Sequence, residues 1–509
     1  MRVTNDLFFL IKSLSPVEKR YFRLYSELHS KSKEHNYIRL FDAIDKQTSY
    51  DENAIKQKFR NETFVKQLTV TKNKLSSKLL ESLRSYQAGS KTKDVTFQLR
   101  ESLDTLTILK KRKAFNQMYK ELRRAKKLAY QHDAFSYLLL LGQFEMECFM
   151  DRKGEDMLDG LNQLLEEEQE ILQQLQNQQA YTNLNNKVFI SFKLKIGAEQ
   201  KQQTALKRLL NHDLLKEPEH ASSFQAKVYF HNIRAYCFIR IKNFETAYEH
   251  YNTVKALWEA HPVQIDRKPL GYIKALCNYL NGCYQTERHA LYPETLSKLK
   301  EIEVKYKIKE SDFIHTRLLH ELMYYLVTGN LKEGQLAAPS IDKTIEANKA
   351  HIHISRQMAI YYNLMILYFF CDDHSNCLTQ LIRLNNLPKN NPRTDIRHFC
   401  KLLLIVVHYE LGNIDLLHNL CRSAQRTLSN PSVFEKLLLT NLTALDQLDI
   451  WSKSDRQQFF IDFKDDITSH AQTNKSYVLG LEEIRFWLES KIQNQTLETV
   501  YVDSIENNN

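Results

Sequence analysis

Apolar side chains recur every three to four residues along almost the whole chain, the spacing of one face of an α-helix. Ser15-Pro16-Val17-Glu18 marks the first clear helix start: Ser15 can cap free amides, Pro16 suits the first helical position, and Glu18 completes a capping box. That helix is predicted to continue through KRYFRLYSELH. A second is predicted from Tyr37 to Asp45, with Tyr37, Leu40, Phe41 and Ile44 on one face, and a short third behind Asp51 through Ile55 and Phe59.

The stretch VKQLTVTKNKLSSKLLESL at 65–83 reads in two ways. It resembles a DNA-binding helix-turn-helix, with a turn at Thr69-Val70-Thr71 and a recognition helix from Lys72 carrying Lys74 and Lys78. As one amphipathic helix, the same residues place Phe64, Val65, Leu68, Leu75, Leu79, Leu83 and Tyr86 on one stripe, with only Lys72 intruding. The single helix fits more of the apolar positions. It leaves Lys66, Lys74 and Lys78 as part of a general basic surface.

Beyond AGSKTKD at 88–94, which reads as a boundary, the pattern is helix after helix with degenerate self-similarity. In FHNIRAYCFIRIKNFETAYEHYNTVKALWEAHP (230–262), Ala235 and Phe238 fall on a first helix and Asn243-Phe244 at a turn. Ala247, Tyr251 and Val254 fall on a second helix, with Pro262 beyond its end. Similar units are anchored at Ala290, Gly334, Cys377 and Leu417, at intervals of 43, 44, 43 and 40 residues from Ala247, and Ala205 extends the series upstream. This pattern resembles the tetratricopeptide repeat, which places a small residue and an aromatic at such offsets. The resemblance implies antiparallel helical hairpins stacked into a solenoid, here with a period of about 40–44, whose first helices form a concave wall.

A further hairpin is predicted over 99–129, turning near Lys113, with Ala114 and Phe115 opening its second helix. At 161–179, Leu161, Leu164, Leu165, Ile171, Leu172 and Leu175 share one side of a helix that spans too few heptads for a free coiled coil. The expected fold is all-α: a small basic helical unit at 1–88, a helical-hairpin array at 94–494 and a disordered tail at 495–509.

Composition agrees, since 11 Gly and 9 Pro in 509 residues disfavour a turn-rich sheet fold. The eight cysteines have apolar or aromatic neighbours and form no C-x-x-C pair, so they are expected to be reduced core thiols. The opening MRVTNDLFFLIKSLSP is too short in apolar residues for a signal-peptide core, and no run reaches membrane-spanning length, so a cytoplasmic protein is expected.

The formal charge of +10 is uneven: residues 1–130 carry 29 Lys and Arg against 14 Asp and Glu, and the remainder is net −5. An acidic partner or nucleic acid would meet Lys66, Lys74, Lys78, Arg112, Lys113, Arg123, Arg124 and Lys127; a solvated basic face is the alternative.

No glycine-rich phosphate loop, G-x-S-x-G elbow or H-E-x-x-H helix occurs, and His351/His353 and His315/His320 lack the i, i+4 spacing of paired ligands. Neither a catalytic centre nor a cofactor or metal is expected. On first helices, Asn232, Tyr236, Tyr362 and Asn363 fall where the tetratricopeptide resemblance implies contact with a peptide. Two functions follow. One is a non-enzymatic scaffold or adaptor that binds a protein or peptide on a helical-repeat surface. The other is a nucleic-acid-binding regulator that reads through the basic N-terminal unit and uses the repeats as sensor or oligomerisation platform.

Overall fold

The computed structural model describes residues 6–28, 36–89, 94–150, 157–193, 199–308, 310–350, 352–388, 393–473 and 479–508. Among the described residues there are 25 α-helices, five 3-10 helices and no strand, and no helix is long and apolar enough to cross a membrane. The chain divides into two compact units, Met1–Gln169 and Glu170–Asn509. The division falls within the Met157–Lys193 helix, not at 88–94 as the sequence suggested, so the first unit also includes the helices from Val95 to Met150.

In the first unit the local signals hold. Glu18 Oε2 accepts from the Ser15 amide at 2.8 Å while Ser15 Oγ accepts from the Glu18 amide at 3.3 Å, which closes the capping box. Asp51 accepts the amides of Asn53 and Ala54 and so starts the Glu52–Lys58 helix. Phe22, Leu40, Phe41, Ile44, Ile55, Leu75 and Leu79 form the core between these helices.

The break expected from a helix-turn-helix at Thr69-Val70-Thr71 is absent. A 3-10 helix, Thr63–Gln67, leads into an α-helix, Leu68–Ala88, and the β-branched triplet lies inside its first turns. Tertiary contact overrides the poor propensity of those residues, because Leu68 and Lys72 are both buried. Lys72 fits the apolar stripe by pairing with Glu52 and lying 5.0 Å from the Tyr50 ring. Burial opposes its charge, but the bonds to Glu52 and Tyr50 outweigh that and raise its pKa. Lys56 and Lys72 together lower Glu52 to about 2.

One turn recurs through both units. After Val95–Lys111, Phe115–Gln131, Phe224–Arg240, Pro269–Gln285, Tyr292–Lys305, Glu310–Val327, Ile354–Phe370 and Thr394–Glu410, the chain passes through a left-handed residue two positions on. These residues are Lys113, Asp133, Lys242, Glu287, Lys307, Gly329, Asp372 and Gly412. In the Lys242 case its amide donates to Ile239 O at 3.0 Å and the next amide, Asn243, donates to Phe238 O at 2.9 Å. This pair of bonds is the Schellman closure, which satisfies carbonyls the helix end leaves open. The second bond repeats as Arg288 to Cys283 O, Asp373 to Tyr368 O and Asn413 to His408 O.

From Lys242 onward, the turns that follow first helices, Lys242, Glu287, Gly329, Asp372 and Gly412, are spaced 40 to 45 residues apart, and Lys307 adds a further turn after the second helix Tyr292–Lys305. The sequence anchors track it. Ala247, Gly334, Cys377 and Leu417 are buried in the second helices, and a Cβ on Gly334 would come within 2.9 Å of Leu367 and Tyr325. Ala290 instead lies in a 3-10 turn, His289–Leu291, with Pro293 in the first turn of the helix that follows. Ala205 is exposed and does not act as a packing residue.

Within the second unit, Pro269–Gln285 packs on Glu310–Val327, which packs on Ile354–Phe370. Ile354–Phe370 supplies ten residues to the largest core.

Two more expectations are revised. Of the apolar stripe at 161–179 only Ile171 is buried, and Leu165 is 48% exposed within the Met157–Lys193 helix. The tail expected to be disordered at 495–509 contains an α-helix, Leu497–Asn508, with Leu497 and Val500 in the core. Its polar residues and closing Asn run mask an i, i+3, i+4 set of Leu497, Val500 and Tyr501 that packs only because the array supplies a surface.

A non-glycine residue in the left-handed region costs about 1–2 kcal/mol. Lys242→Gly and Glu287→Gly are therefore each expected to stabilise the chain by about 1 kcal/mol in urea unfolding. Gly480, with φ +87°, also stands where a Cβ would overlap the Phe399 ring, whereas a Cβ on Gly412, φ +72°, would meet nothing. Gly480→Ala is expected to cost about 3 kcal/mol or more and Gly412→Ala about 1–2 kcal/mol. Equal losses would contradict this packing.

Candidate partner-binding surface

The sequence placed peptide-contacting side chains on first helices, and the structure sets those side chains in two regions. On Phe224–Arg240, Asn232 Oδ1 lies 3.5 Å from Asn278 Nδ2 of Pro269–Gln285, which links two successive first helices. Tyr236 is half-buried, accepts from Arg240 Nε at 3.3 Å, and has that guanidinium 5.6 Å from its ring. These two residues remain partly open to solvent.

Beside them is a histidine pair that the sequence reading passed over. Arg234 Nε donates to His250 Nε2 at 3.2 Å, and His250 Nδ1 lies 2.9 Å from His231 Nδ1. Accepting from arginine puts the His250 proton on Nδ1, which donates to His231 and leaves the His231 proton on Nε2. Arg234 Nη1 also donates to Leu215 O at 2.5 Å. Burial, with Arg234 nearby, lowers His231 to about 4; burial, with His231 and Arg234, lowers His250 to about 4. Both imidazoles are neutral in this network, and a proton added to either would set two N–H groups against each other.

In the second region, Asn363 does not face a groove: its Nδ2 donates to Ala359 O of its own helix at 2.7 Å. Tyr362 is covered from the C-terminal side of the chain, its hydroxyl donating to Glu483 Oε1 at 3.1 Å. Burial raises the pKa of Glu483, against the pull of the Tyr362 bond. The structure thus brings Tyr362 together with Glu483, and separates both from Asn232 and Tyr236 in the fold.

The basic residues differ in exposure and pairing. Lys66 and Lys74 are exposed, whereas Lys78 pairs with Glu81 at 2.6 Å. Arg112, Lys113 and Lys127 are exposed, Arg123 lies 5.9 Å from the Tyr119 ring, and Arg124 pairs with Glu121 at 2.8 Å. The neighbouring Lys110 pairs with Glu147, and Lys126 pairs with both Glu145 and Glu167. Acidic residues that follow in sequence thus fold back on the basic run and offset part of its charge.

Among the described residues no three His, Cys, Asp or Glu side chains gather as a metal site. All eight cysteines are unpaired in disulfides. Burial pushes the Cys237, Cys371 and Cys400 thiols up to about 12 and Cys283 and Cys421 to about 11, which suppresses the nucleophilic thiolate. His315 and His320 sit on Glu310–Val327, and burial holds His320 at about 4.

Sequence reasoning also missed a buried carboxylate, Glu410, which accepts from Trp487 Nε1 and from Lys491 Nζ, each at 2.6 Å. Its donors lie more than seventy positions downstream, so no local pattern announces the cluster.

The histidines set a pH dependence. Above about pH 6.5 they are neutral both folded and unfolded; between 6.5 and about 4 the unfolded chain binds protons that the folded chain refuses. Stability is expected to fall as pH drops through that window. Thermal melting at pH 7.5 and 5.0 checks it, and His231→Gln/His250→Gln is expected to flatten the drop. The chain matches no protein-family model, and no curated protein matches it in sequence.

Proposed function

We propose that this protein is a non-enzymatic scaffold or adaptor that binds a protein or peptide on the surface of a tetratricopeptide-like solenoid. The observation that carries this reading is the left-handed turn that follows successive first helices at intervals of 40 to 45 residues from Lys242 to Gly412, with Pro269–Gln285 packed on Glu310–Val327 and that helix on Ile354–Phe370. Such repetition generates an extended surface rather than a closed pocket, and extended helical surfaces take peptides and protein faces. Asn232 and Tyr236 are taken as the contact residues: all four candidates are half-buried, but the Tyr362 hydroxyl is held by Glu483 and the Asn363 amide by its own helix. The protonated thiols and neutral histidines fit a binding role.

The exposed Lys66, Lys74, Arg112, Lys113, Arg123 and Lys127 keep a second reading in view, a nucleic-acid-binding regulator. It lacks the expected turn at Thr69-Val70-Thr71, since Leu68–Ala88 is unbroken, and part of its charge is paired, through Glu81, Glu121, Glu145, Glu147 and Glu167.

Affinity capture of the full chain from native lysate, with and without nuclease, separates the two. A protein partner is expected to survive nuclease and to bind roughly tenfold more weakly to Tyr236→Ala than to the wild type. Capture unchanged by both Tyr236→Ala and Asn232→Lys would remove this surface. Retention on duplex DNA that weakens as salt rises, together with loss of every partner under nuclease, would favour the regulator.

A further inference from the structure

The Pro16–Leu28 helix carries two apolar faces, and the first unit buries only one of them. On that face Phe22 and Ser26 are buried, while Lys19 pairs with Asp45 and Arg23 with Asp42. Roughly a third of a turn away, Val17, Tyr21, Leu24 and Leu28 follow at intervals of four, three and four residues. That is the spacing of a seam along which one helix packs on another. Val17 is 59% exposed, Leu24 50% and Leu28 81%.

The seam is already rigid. The Tyr21 and Ser85 hydroxyls share a hydrogen bond at 3.0 Å, and the Tyr21 ring lies 5.1 Å from Tyr86 and stacks on Tyr25 at 6.3 Å and 27°. Single exposed apolar residues, such as Val70 and Leu80 of Leu68–Ala88, are ordinary on a protein surface. Three in one line, bedded on aromatic rings, make a continuous strip whose contact with water is costly and which a second surface would relieve.

The charges beside the strip indicate what that surface is. Arg20 and Glu27 are both exposed on one flank of the seam, and among the described residues neither has an ion-pair partner. Opposite charges at the two ends of one flank complement the same helix run in reverse. About a two-fold axis between positions 22 and 23, Val17 meets Leu28 of the second copy and Tyr21 meets its Leu24. Arg20 of each copy then stands beside Glu27 of the other, so two ion pairs form together. A parallel pair would bring Arg20 to Tyr25 and make no such pair.

We infer that Pro16–Leu28 is a homodimer interface, in which two copies pack this helix antiparallel through Val17, Tyr21, Leu24 and Leu28 with reciprocal Arg20–Glu27 ion pairs. This goes beyond the partner-binding reading and does not depend on it. One pair of helices is a small interface, so the dimer is reversible, with a dissociation constant of about 10 µM.

Sedimentation equilibrium of the full-length chain at low salt, from about 1 to 200 µM, spans that constant on both sides. The wild type is expected to pass from monomer to dimer over this range. Leu24→Glu is expected to remain monomeric, and Arg20→Glu and Glu27→Arg each to weaken the dimer roughly tenfold by setting like charges together. The double variant Arg20→Glu/Glu27→Arg is expected to return to within about threefold of the wild type, because reversing both ends restores complementarity. All three side chains face solvent in the single chain, so melting temperatures of dilute samples are expected to stay together.

A wild type that stays monomeric throughout, a dimer that survives Leu24→Glu, or a double reversal no tighter than either single one would each overturn the proposal. If Leu24→Glu does not fold, the three charge variants decide the matter alone. A foreign partner lost on Leu24→Glu, captured by a chain that never dimerises, would assign the seam to another helix and overturn it as well.

Discussion

The hydrogen-bonded turn closed across a left-handed residue is the constraint on which the rest of the structure depends. An α-helix ends with carbonyls that have no partner, and leaving them so beside a packed neighbour would be costly. Here the amides of the next two residues turn back to accept that role, at Lys113, Lys242, Glu287, Asp372 and Gly412 alike. The same geometry reverses the chain each time, so helices of similar length return beside one another. Gly329 and Gly412 adopt this conformation without strain; Lys, Asp and Glu at the other turns are held there by the packing on either side.

Between helices, register is fixed by charges that the turns alone could not align. Glu303 and Glu321 both bond Arg317, and Lys300 reaches Glu321 as well. Glu410 collects the Trp487 and Lys491 donors, and Lys72 stands against Glu52. Each is enclosed enough that removing one partner would strand the other, which makes such groups better at specifying an arrangement than at adding net stability. The neutral His231–His250 pair works in the same sense and makes the arrangement sensitive to acid.

Near the end of the chain, contacts distant in sequence close over the array. The Tyr362 hydroxyl is engaged by Glu483 of Leu481–Gln493. Phe370 and Leu326 O are engaged by Tyr501. Such contacts order the last helix, Leu497–Asn508, which is too short to hold alone.

The sequence by itself determined the all-helical class and several of the helix starts. Capping groups such as Ser15, Asp51 and Asn243, and small or apolar residues at Ala247, Gly334, Cys377 and Leu417, act on neighbours within a turn or two, and so leave a local trace. Tertiary structure alone decided which polar residues are buried and which ends are ordered. Lys72 reads as an intrusion until Glu52 is beside it, and basic residues before position 130 read as a patch until Glu145, Glu147 and Glu167 fold back on them. Residues 497–508 read as a loose end until Phe370, Asp372 and Leu326 meet them. Those partners lie between 19 and 175 positions away, and a side chain's free energy depends on what surrounds it in space, which the order of residues does not state.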